Sequence, residues 1–372
     1  MFGSRNFLLA KGSAAIPPGN KLFMWGYNAQ GQLGQGNTTF VFNSPVQVGT
    51  EIDWATFSSN YHTLCSKNNG QLWAWGNNGS GRLGLGNTTN YSSPKQVGAL
   101  TNWNTPAAGD NFSLCVKTDG TLWSWGANSV GQLGLGNTTS YSSPKQIGSL
   151  TNWAKAVTKV NFCLAVDTSG KLFAWGANNA GQLGLGDTVN RSSPVQVGAL
   201  LDWATPATGT NHSLCVKTDG SLWAWGNGNG GAGGLGLNNA NDYSSPKQVG
   251  SLLTWSQPAA GQNFSVCSKT DGTLWSWGAN ARGQLGLGNI TSYSSPKQVG
   301  SLLTWSTPAA AYRATFCVKT DGALWVWGDG RYGQLGLGDS NNRSSPVQVG
   351  GLVTWFKPSK GAPFIGGCTQ TP

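Results

Sequence analysis

The chain has 372 residues, including 56 glycines and 19 tryptophans, and only 10% of its residues are charged. The net charge of +10 reflects few acids (13) rather than many bases (23), and the absence of any basic run argues against a nucleic-acid partner. No apolar run approaches the roughly 20 residues of a membrane span, and the apolar run at residues 7–10 is too short for a signal peptide. We therefore expect no membrane insertion and a protein made in the cytoplasm without an export signal.

Residues 1–20 match no later part of the chain. They end in the Pro-Pro-Gly of residues 17–19, which is typical of a stiff, turn-like join. We interpret residues 1–20 as a leader, either unstructured or an arm whose apolar residues 7–9 contact a neighbouring molecule. Residues 21–372 are predicted to form one domain.

From residue 21 onward, a Trp-Gly pair returns at a nearly constant interval. The steps between successive pairs are 50 residues, with one step of 52. A fixed period near 50 residues is typical of repeat architectures, in which each repeat is one supersecondary unit. Seven repeats are predicted, with their tryptophans at Trp25, Trp75, Trp125, Trp175, Trp225, Trp277 and Trp327.

Residues 103–153 show how one unit is built. Residues 111–117, NFSLCVK, are a short apolar run with β-forming residues. The Thr-Asp-Gly of residues 118–120 is a turn of the kind that closes a hairpin, and residues 121–126 form the return strand.

The second half of the unit begins with the glycine-rich residues 131–136, where Leu133 and Leu135 are expected to fill the space between adjacent units. A polar loop follows, then a segment that starts at Pro144, where a strand tolerates proline. A last strand holds Trp153. Four short antiparallel strands repeated seven times predict an all-β fold, a seven-bladed β-propeller.

The two ends of the chain are predicted to share one blade. The repeats begin with a return strand at residues 21–26, without the strand that precedes it elsewhere, and residues 361–368 resemble that strand. Pairing of the two would close the ring without free strand edges.

The repeated motif LWxWGxNxxGQLGLG, followed by SSPxQV and by strands such as HSLCVKTDG at residues 212–220, resembles the regulator of chromosome condensation repeat family. The resemblance implies a seven-bladed propeller. Members of that family include a nucleotide-exchange factor for a small GTPase, a secreted inhibitor of β-lactamases and many modules of larger proteins. The repeats of this chain have no sizeable insertion, so no exchange-factor residue is carried over to it.

No catalytic, cofactor-binding or metal-binding site is predicted. The GQLGLG element lacks the Gly-Lys-Ser/Thr ending of a phosphate loop, and His62 and His212 belong to blades that are not adjacent. Five of the seven cysteines share one strand position, and Cys163 lies two residues earlier on the same strand face, which is typical of a small buried apolar residue. We therefore expect a protein that is not an enzyme.

Candidate binding residues are found where the repeats differ from one another. The loop before each NFSLC-like strand varies most, and in a propeller these loops gather on one face. Tyrosine and arginine are enriched in interface hot spots. The candidates from this loop and from the variable pair before GQLG are Tyr61, Lys159, Tyr312, Arg313, Arg331 and Tyr332.

Two further groups complete the candidate set. Phe40, Val41 and Phe42 form an apolar stretch where the other repeats have polar loop residues, which suggests either a contact patch or local packing with the leader. Lysines that follow the Ser-Ser-Pro element would form a partial ring of positive charge, able to attract an acidic partner or only to solubilise the protein. They are Lys95, Lys145, Lys247 and Lys297.

These observations favour a non-enzymatic binding or structural module within a larger assembly, such as a decoration, tail or host-attachment protein of a phage virion. The expected partner is a protein or an assembly neighbour, with a surface glycan as an alternative. A second hypothesis is an intracellular regulator that binds a GTPase or chromatin, as some family members do. A third is an enzyme-inhibitor propeller, although the known inhibitor is secreted and this chain shows no export signal.

Overall fold

The computed structural model describes residues 20–228, 233–358 and 364–369, with the backbone alone for residue 357 and residues 364–369. The described residues form 28 β-strands, arranged as seven four-stranded antiparallel sheets. None of the described elements is a helix of the length and apolarity that crossing a membrane requires. The predicted leader contact at residues 7–9 lies outside the described residues. Asn20, at the predicted domain boundary, is buried and forms a single bridge with Asp53.

Each sheet is one blade, numbered here in chain order. Blade 1 consists of β1 (Lys21–Tyr27), β2 (Val41–Gln47), β27 (Trp355–Pro358) and β28 (Phe364–Thr369). Blade 2 consists of β3 (Trp54–Ser59), β4 (His62–Lys67), β5 (Leu72–Gly76) and β6 (Tyr91–Gln96). Blade 3 consists of β7 (Trp103–Ala108), β8 (Phe112–Lys117), β9 (Leu122–Gly126) and β10 (Tyr141–Gln146). Blade 4 consists of β11 (Trp153–Thr158), β12 (Phe162–Asp167), β13 (Leu172–Gly176) and β14 (Arg191–Gln196).

The remaining blades follow the same pattern. Blade 5 consists of β15 (Trp203–Thr208), β16 (His212–Lys217), β17 (Leu222–Gly226) and β18 (Tyr243–Gln248). Blade 6 consists of β19 (Trp255–Ala260), β20 (Phe264–Lys269), β21 (Leu274–Gly278) and β22 (Tyr293–Gln298). Blade 7 consists of β23 (Trp305–Ala310), β24 (Ala314–Lys319), β25 (Leu324–Gly328) and β26 (Arg343–Gln348).

The blades form a closed ring, as the sequence predicts. The first strands of neighbouring blades contact one another around the axis, and β28 of blade 1 contacts β3 of blade 2. Blade 1 has the strand order β2-β1-β28-β27, and β28 pairs antiparallel with β1 from Lys21↔Thr369 to Gly26↔Phe364. The prediction that the two chain ends share a blade is therefore confirmed, as is the seven-bladed all-β fold.

The structure corrects the predicted limits of the unit. Trp153 does not end one blade but opens the next, because its strand β11 pairs with β12. Pro144 lies inside β10 rather than at its start. This strand is outermost in its sheet, and its pairing with β9 is irregular between Tyr141 and Lys145, so the missing N–H of proline breaks no regular ladder.

Tryptophans of successive repeats bind the blades together. In blade 3, Trp103 packs edge to face against Trp123 and Trp125, with ring centroids 6.0 and 5.9 Å apart. The buried Trp125 also donates its indole N–H to the carbonyl of Arg82 in the preceding repeat, at 2.8 Å. Gly84 at this junction has φ 74°, and a Cβ there would lie 2.8 Å from the Trp125 indole nitrogen, so only glycine fits without strain.

Leucines of the glycine-rich element fill the space between blades, as predicted. Leu133 is fully buried in a cluster that includes Ile147 of its own repeat and Trp175 of the next blade, and Leu135 packs against the same cluster half-buried. The apolar side chains on the two faces of each sheet therefore pack against the blades on either side.

The antiparallel order divides the loops between two faces. One face, called here the loop face, carries the loops that join the first strand to the second and the GQLG-type loops. The opposite face, the turn face, carries the Thr-Asp-Gly turns and the connections between blades. The connections expose one or two large apolar side chains each, such as Leu100, Leu150 and Leu200.

Candidate protein-interaction face

A cluster of exposed aromatic side chains lies on the loop face, across blades 7, 1 and 2. The Tyr27 ring packs edge to face against Phe40 at 5.0 Å and against Tyr332 of blade 7 at 5.8 Å. Tyr61 of blade 2 and Tyr312 of blade 7 complete what we call the aromatic cluster. Phe40 is 58% exposed, and Tyr61, Tyr312 and Tyr332 are 37 to 40% exposed.

Electrostatics show that Tyr61 is close to the other members of the cluster. Burial raises the pKa of its hydroxyl, and the nearby Asp110, Tyr312 and Tyr27 raise it further, against the opposing charge of Arg82. The hydroxyl is therefore a neutral hydrogen-bond donor at physiological pH.

One glutamine of blade 6 fixes two residues of blade 7. Gln262 donates its amide to the Tyr312 hydroxyl, and its carbonyl oxygen accepts a 2.7 Å hydrogen bond from Arg313 Nε. The Arg313 guanidinium lies 5.4 Å from the Tyr312 ring centroid, in the range of a cation–π contact. Tyr312 and Arg313 are thus held in place before any partner binds, which lowers the entropy cost of binding.

Arg331, beside Tyr332, is oriented by a buried carboxylate. Its Nε and Nη2 donate to Asp329 Oδ1 and Oδ2 at 2.9 and 2.7 Å, a bidentate pair. Burial alone would raise the pKa of Asp329, but hydrogen bonds from the Arg331 side chain and backbone, together with its charge, hold that pKa below its usual value. Asp329 is 3% exposed whereas the Arg331 side chain is 46% exposed. Arg331 therefore presents its guanidinium to solvent in a fixed orientation.

Beneath the cluster, a polar network closes the propeller axis. Asn60 donates to Asp110 Oδ1 at 2.7 Å and to the carbonyl of Lys159 at 3.2 Å, and Arg82 donates to the carbonyl of Asp110 at 2.9 Å. Lys159 Nζ donates in turn to three carbonyls on the far side of the axis, those of Ala260, Ala310 and Ala311.

Lys159 is therefore interior and not a surface residue, contrary to its place among the sequence-predicted binding residues. It is 4% exposed, and burial lowers its pKa to about 7, with Asp110 opposing that effect. The reason is geometric: the side chain leaves the end of β11 toward the axis, where the carbonyl groups of two opposite blades can accept its protons.

Two other groups of predicted binding residues also lie outside the aromatic cluster. Val41 and Phe42 are half-buried strand residues of β2, and Phe42 packs against the core between blades 1 and 2, so the apolar stretch presents only Phe40 to solvent. The four ring lysines lie on outermost strands, with each Nζ between 5.4 and 5.7 Å from a tyrosine ring of its own strand. They are Lys95, Lys145, Lys247 and Lys297.

The structure thus brings together Phe40, Tyr61, Tyr312, Arg313, Arg331 and Tyr332 from the predicted set. It adds Tyr27, Gln262 and Asp329, which the sequence reasoning missed. A signal for Tyr27 was present, because the equivalent positions of the other repeats hold alanine, asparagine or aspartate. Gln262 carries no such signal, since its role depends on a partner in the next blade.

Both histidines are buried, and each lies within hydrogen-bond distance of a serine hydroxyl of the next blade. His62 Nε2 lies 2.7 Å from the Ser113 hydroxyl of the next blade, and His212 Nε2 lies 3.0 Å from that of Ser265. Burial lowers the pKa of both imidazoles, that of His212 to about 3, so both rings are neutral. Within the described ranges, no three His, Cys, Asp or Glu residues are grouped as a metal site would require.

The side chains of six cysteines are described, and all six are free and buried. Cys163 occupies the strand position that holds Ser113 in blade 3, and its thiol contacts the carbonyl of Gln132 as the Ser113 hydroxyl contacts that of Arg82. These six cysteines are therefore packing residues, as predicted from their repeat positions.

Comparison with known proteins agrees with this architecture. The family model described as "Regulator of chromosome condensation (RCC1) repeat" matches seven times, at residues 20–65, 69–116, 119–166, 169–216, 219–268, 271–318 and 321–358. A second model of the same repeat matches residues 257–284. No curated protein matches the chain significantly.

Three solved structures share the fold at low sequence identity. The structure of Prp20p from Saccharomyces cerevisiae, described with its binding properties to Gsp1p and histones, has a TM-score of 0.85 and 21% identity over 96% of this chain and 93% of its own. Yeast RCC1 (Prp20) with bound Kap60 has a TM-score of 0.83 and 20% identity over 98% and 91%. Human WBSCR16 has a TM-score of 0.83 and 19% identity over 95% and 99%. With seven repeat matches that cover most of its length, the chain belongs to the regulator of chromosome condensation repeat family.

Proposed function

We propose that the chain is a non-enzymatic propeller that binds a protein partner through the aromatic cluster on its loop face, and that this partner is a small GTPase. The observation that carries the proposal is the arrangement of the cluster. Five aromatic side chains from three adjacent blades lie together, and Arg313 and Arg331 beside them are held by Gln262 and Asp329. Exposed tyrosine and arginine in fixed positions are the usual anchors of protein interfaces.

The choice of partner rests on the family and on charge. Prp20p, a relative with the same fold, is described by its binding to Gsp1p and histones. This chain carries a net charge of +10, so long-range repulsion disfavours basic proteins such as histones. A GTPase is therefore the better candidate of the two. The virion role expected from composition and the enzyme-inhibitor role have no support among these relatives.

The loop face favours binding of the GTPase without acceleration of its nucleotide exchange. Of the two acids within the candidate site, Asp329 is buried and Asp110 is half-buried, and they accept hydrogen bonds from Arg331 and Asn60 respectively. Both carboxylates are therefore already engaged in contacts within the chain. We therefore expect a complex with the GTPase and little change in its rate of nucleotide release.

The test is the affinity of the full chain for purified Gsp1p, in its GDP-bound and nucleotide-free forms, measured by biolayer interferometry. The triple variant Tyr61→Ala/Tyr312→Ala/Tyr332→Ala should weaken binding by at least about 100-fold, since each anchor is worth roughly 1–2 kcal/mol. The matched control, Leu100→Ala/Leu150→Ala/Leu200→Ala, removes equally exposed side chains from the turn face and should bind as the natural chain does. No binding, or equal loss in both triple variants, would refute the proposal.

A further inference from the structure

Three arginines on the loop face meet where blade 6 joins blade 7. Arg282 lies in the GQLG-type loop of blade 6, Arg313 in the loop between β23 and β24, and Arg331 in the GQLG-type loop of blade 7. The backbone N–H of Asp329 donates to the carbonyl of Arg313 at 2.9 Å, so the two loops of blade 7 lie side by side. We call the three residues the arginine cluster.

Arg282 approaches this cluster from the neighbouring blade. The next residue, Gly283, packs so closely on blade 7 that a Cβ at this position would lie 2.8 Å from the carbonyl oxygen of Arg343. Burial would raise the pKa of the Asp329 carboxyl, but the hydrogen bonds and charge of Arg331 outweigh it, and the charge of Arg282 adds to the lowering. Arg282 and Arg331 therefore lie near the same carboxylate.

The cluster holds more positive charge than its neighbours neutralise. Asp329 forms its salt bridge with Arg331, and the acceptor of Arg313 Nε is the uncharged Gln262. Among the residues that the structure describes, no acid forms a salt bridge with Arg282 or Arg313. A guanidinium carries five N–H donors, so Arg313 keeps donors beyond the one that Gln262 binds.

This charge is not required to build the loops. Repeats 2, 3 and 4 form the same loops with uncharged side chains at the three positions. They have Ser80, Val130 and Ala180 in place of Arg282, Tyr61, Asn111 and Asn161 in place of Arg313, and Gly79, Ser129 and Asn179 in place of Arg331. Positive charge that the fold does not need, gathered at one junction, indicates a surface that attracts a negatively charged group.

We propose that the arginine cluster binds an acidic segment of the protein partner through the carboxylates of aspartate or glutamate side chains, which rests on the proposed function in taking the loop face as the partner-binding surface. The planar guanidinium binds a carboxylate through two parallel hydrogen bonds, as Arg331 already does with Asp329. Tyr312 and Tyr332, both 40% exposed, add apolar contact beside the charges. A nucleic acid is the less suitable anion, because it needs a basic groove that follows its backbone and the cluster is a single spot.

A fluorescein-labelled peptide of eight glutamates, titrated with the full chain and followed by fluorescence anisotropy, tests this proposal without the GTPase. At 50 mM NaCl the peptide should bind saturably, whereas a peptide of eight glutamines should not bind. Arg282→Gln/Arg313→Gln should weaken binding by about 10-fold, because two surface ion pairs are lost. Lys95→Gln/Lys145→Gln removes the same charge from the outer strands of blades 2 and 3 and should change the affinity by less than about twofold.

Arg331 is kept in these variants because its loss would leave the buried Asp329 carboxylate unpaired. The unfolding temperature of each variant checks that it is folded. Arg282→Gln alone, whose side chain donates no hydrogen bond to a described residue, should still weaken peptide binding by about threefold. No binding of the glutamate peptide, equal weakening in the two double variants, or tighter binding of a single-stranded DNA 12-mer than of the peptide would overturn the proposal.

Binding of the same variants to Gsp1p separates the acidic segment from the proposed function. Arg282→Gln/Arg313→Gln should slow association with Gsp1p several-fold at 50 mM NaCl, and the difference should shrink at 500 mM because salt screens the charges. If this double variant binds Gsp1p as the natural chain does while the tyrosine triple variant does not, the acidic-segment proposal fails and the proposed function stands. Peptide binding that depends on the arginines, without any binding of Gsp1p, would give the opposite result.

Discussion

Lys159 Nζ donates a 2.8 Å hydrogen bond to the carbonyl of Ala310, 151 residues later in the chain and across the axis of the propeller. The bond joins blade 4 to blade 7, which are not neighbours. Bonds to Ala260 and Ala311 add further links of the same kind. A single buried ammonium thus ties together blades that are not adjacent in the ring.

The lowered pKa of Lys159 predicts that its contribution to the free energy of unfolding increases with pH. Its pKa is 10.5 in the unfolded chain and about 7 in the folded one, so between these values the unfolded state binds a proton that the folded state lacks. The contribution of this group to the free energy of unfolding should therefore rise from pH 7 toward pH 10.5, by up to about 1.4 kcal/mol per pH unit.

Urea denaturation at pH 7.5 and 9.5 measures this contribution. The change in the free energy of unfolding from the lower to the higher pH should be about 2 kcal/mol more positive in the natural chain than in Lys159→Met, because the variant lacks the titrating group. Lys145→Met, on an exposed outer strand, should behave as the natural chain. Equal pH dependence in all three proteins would show that Lys159 is not a buried titrating group.

The buried histidines predict a loss of stability in acid. Their pKa values are lowered by burial, so as pH falls below 6.5 the unfolded chain gains protons that the folded chain does not. For His212, with a folded pKa of about 3, the loss between pH 8 and pH 5 is about 2 kcal/mol.

His212→Phe should remove that loss while the chain stays folded. Phe112, Phe162 and Phe264 occupy the same strand position in other blades, and Ser265 keeps its hydrogen bond to the carbonyl of Gly234. The comparison is made by chemical denaturation at both pH values. A variant as acid-sensitive as the natural chain would contradict the prediction.

The cysteines predict slow reaction with thiol reagents in the native state. Burial raises the pKa of Cys115, Cys215 and Cys267 to about 12, so almost no thiolate is present at pH 8. In a Cys368→Ser background, labelling at pH 8 should give no fast phase without denaturant and six equivalents in guanidinium. Fast labelling of the folded protein would mean that these strands open readily.

Preorganisation of the loop face predicts that Gln262→Ala weakens partner binding. The change removes the groups that hold the Tyr312 hydroxyl and Arg313 Nε. We expect affinity for Gsp1p to fall by roughly 5- to 10-fold, about 1 kcal/mol, with the unfolding midpoint unchanged. Gln146→Ala, which removes an exposed glutamine of β10, serves as the control. Unchanged affinity in Gln262→Ala would show that these contacts do not prepare the face for binding.

The fold could be predicted from local sequence because every blade is built from the same repeated motif. The spacing of Trp25, Trp75 and their equivalents counts the blades, and the strand-like residues after Gly361 reveal how the ring closes. Leu133 could be assigned to the space between blades for the same reason. These features depend on residues within one repeat or on identical positions in successive repeats.

The candidate site was only partly predictable because it depends on contacts between different blades. Variation among repeats pointed to Tyr312 and Tyr332, but it could not show that Lys159 turns inward to carbonyls of blades 6 and 7. Nor could it show that Val41 already belongs to a strand, since strand limits depend on the register with β1. The hydrogen bond between Gln262 and Arg313 joins two blades, so the sequence of neither repeat alone indicates it.

Amide hydrogen exchange of the full chain, with and without bound Gsp1p, shows whether the loop face is the binding surface. We expect slower exchange in the complex at residues 27–40, 60–62 and 311–313 and around residue 332, with unchanged exchange in the turn-face connections such as residues 147–152. Protection confined to the turn face or to the outer strands would contradict it.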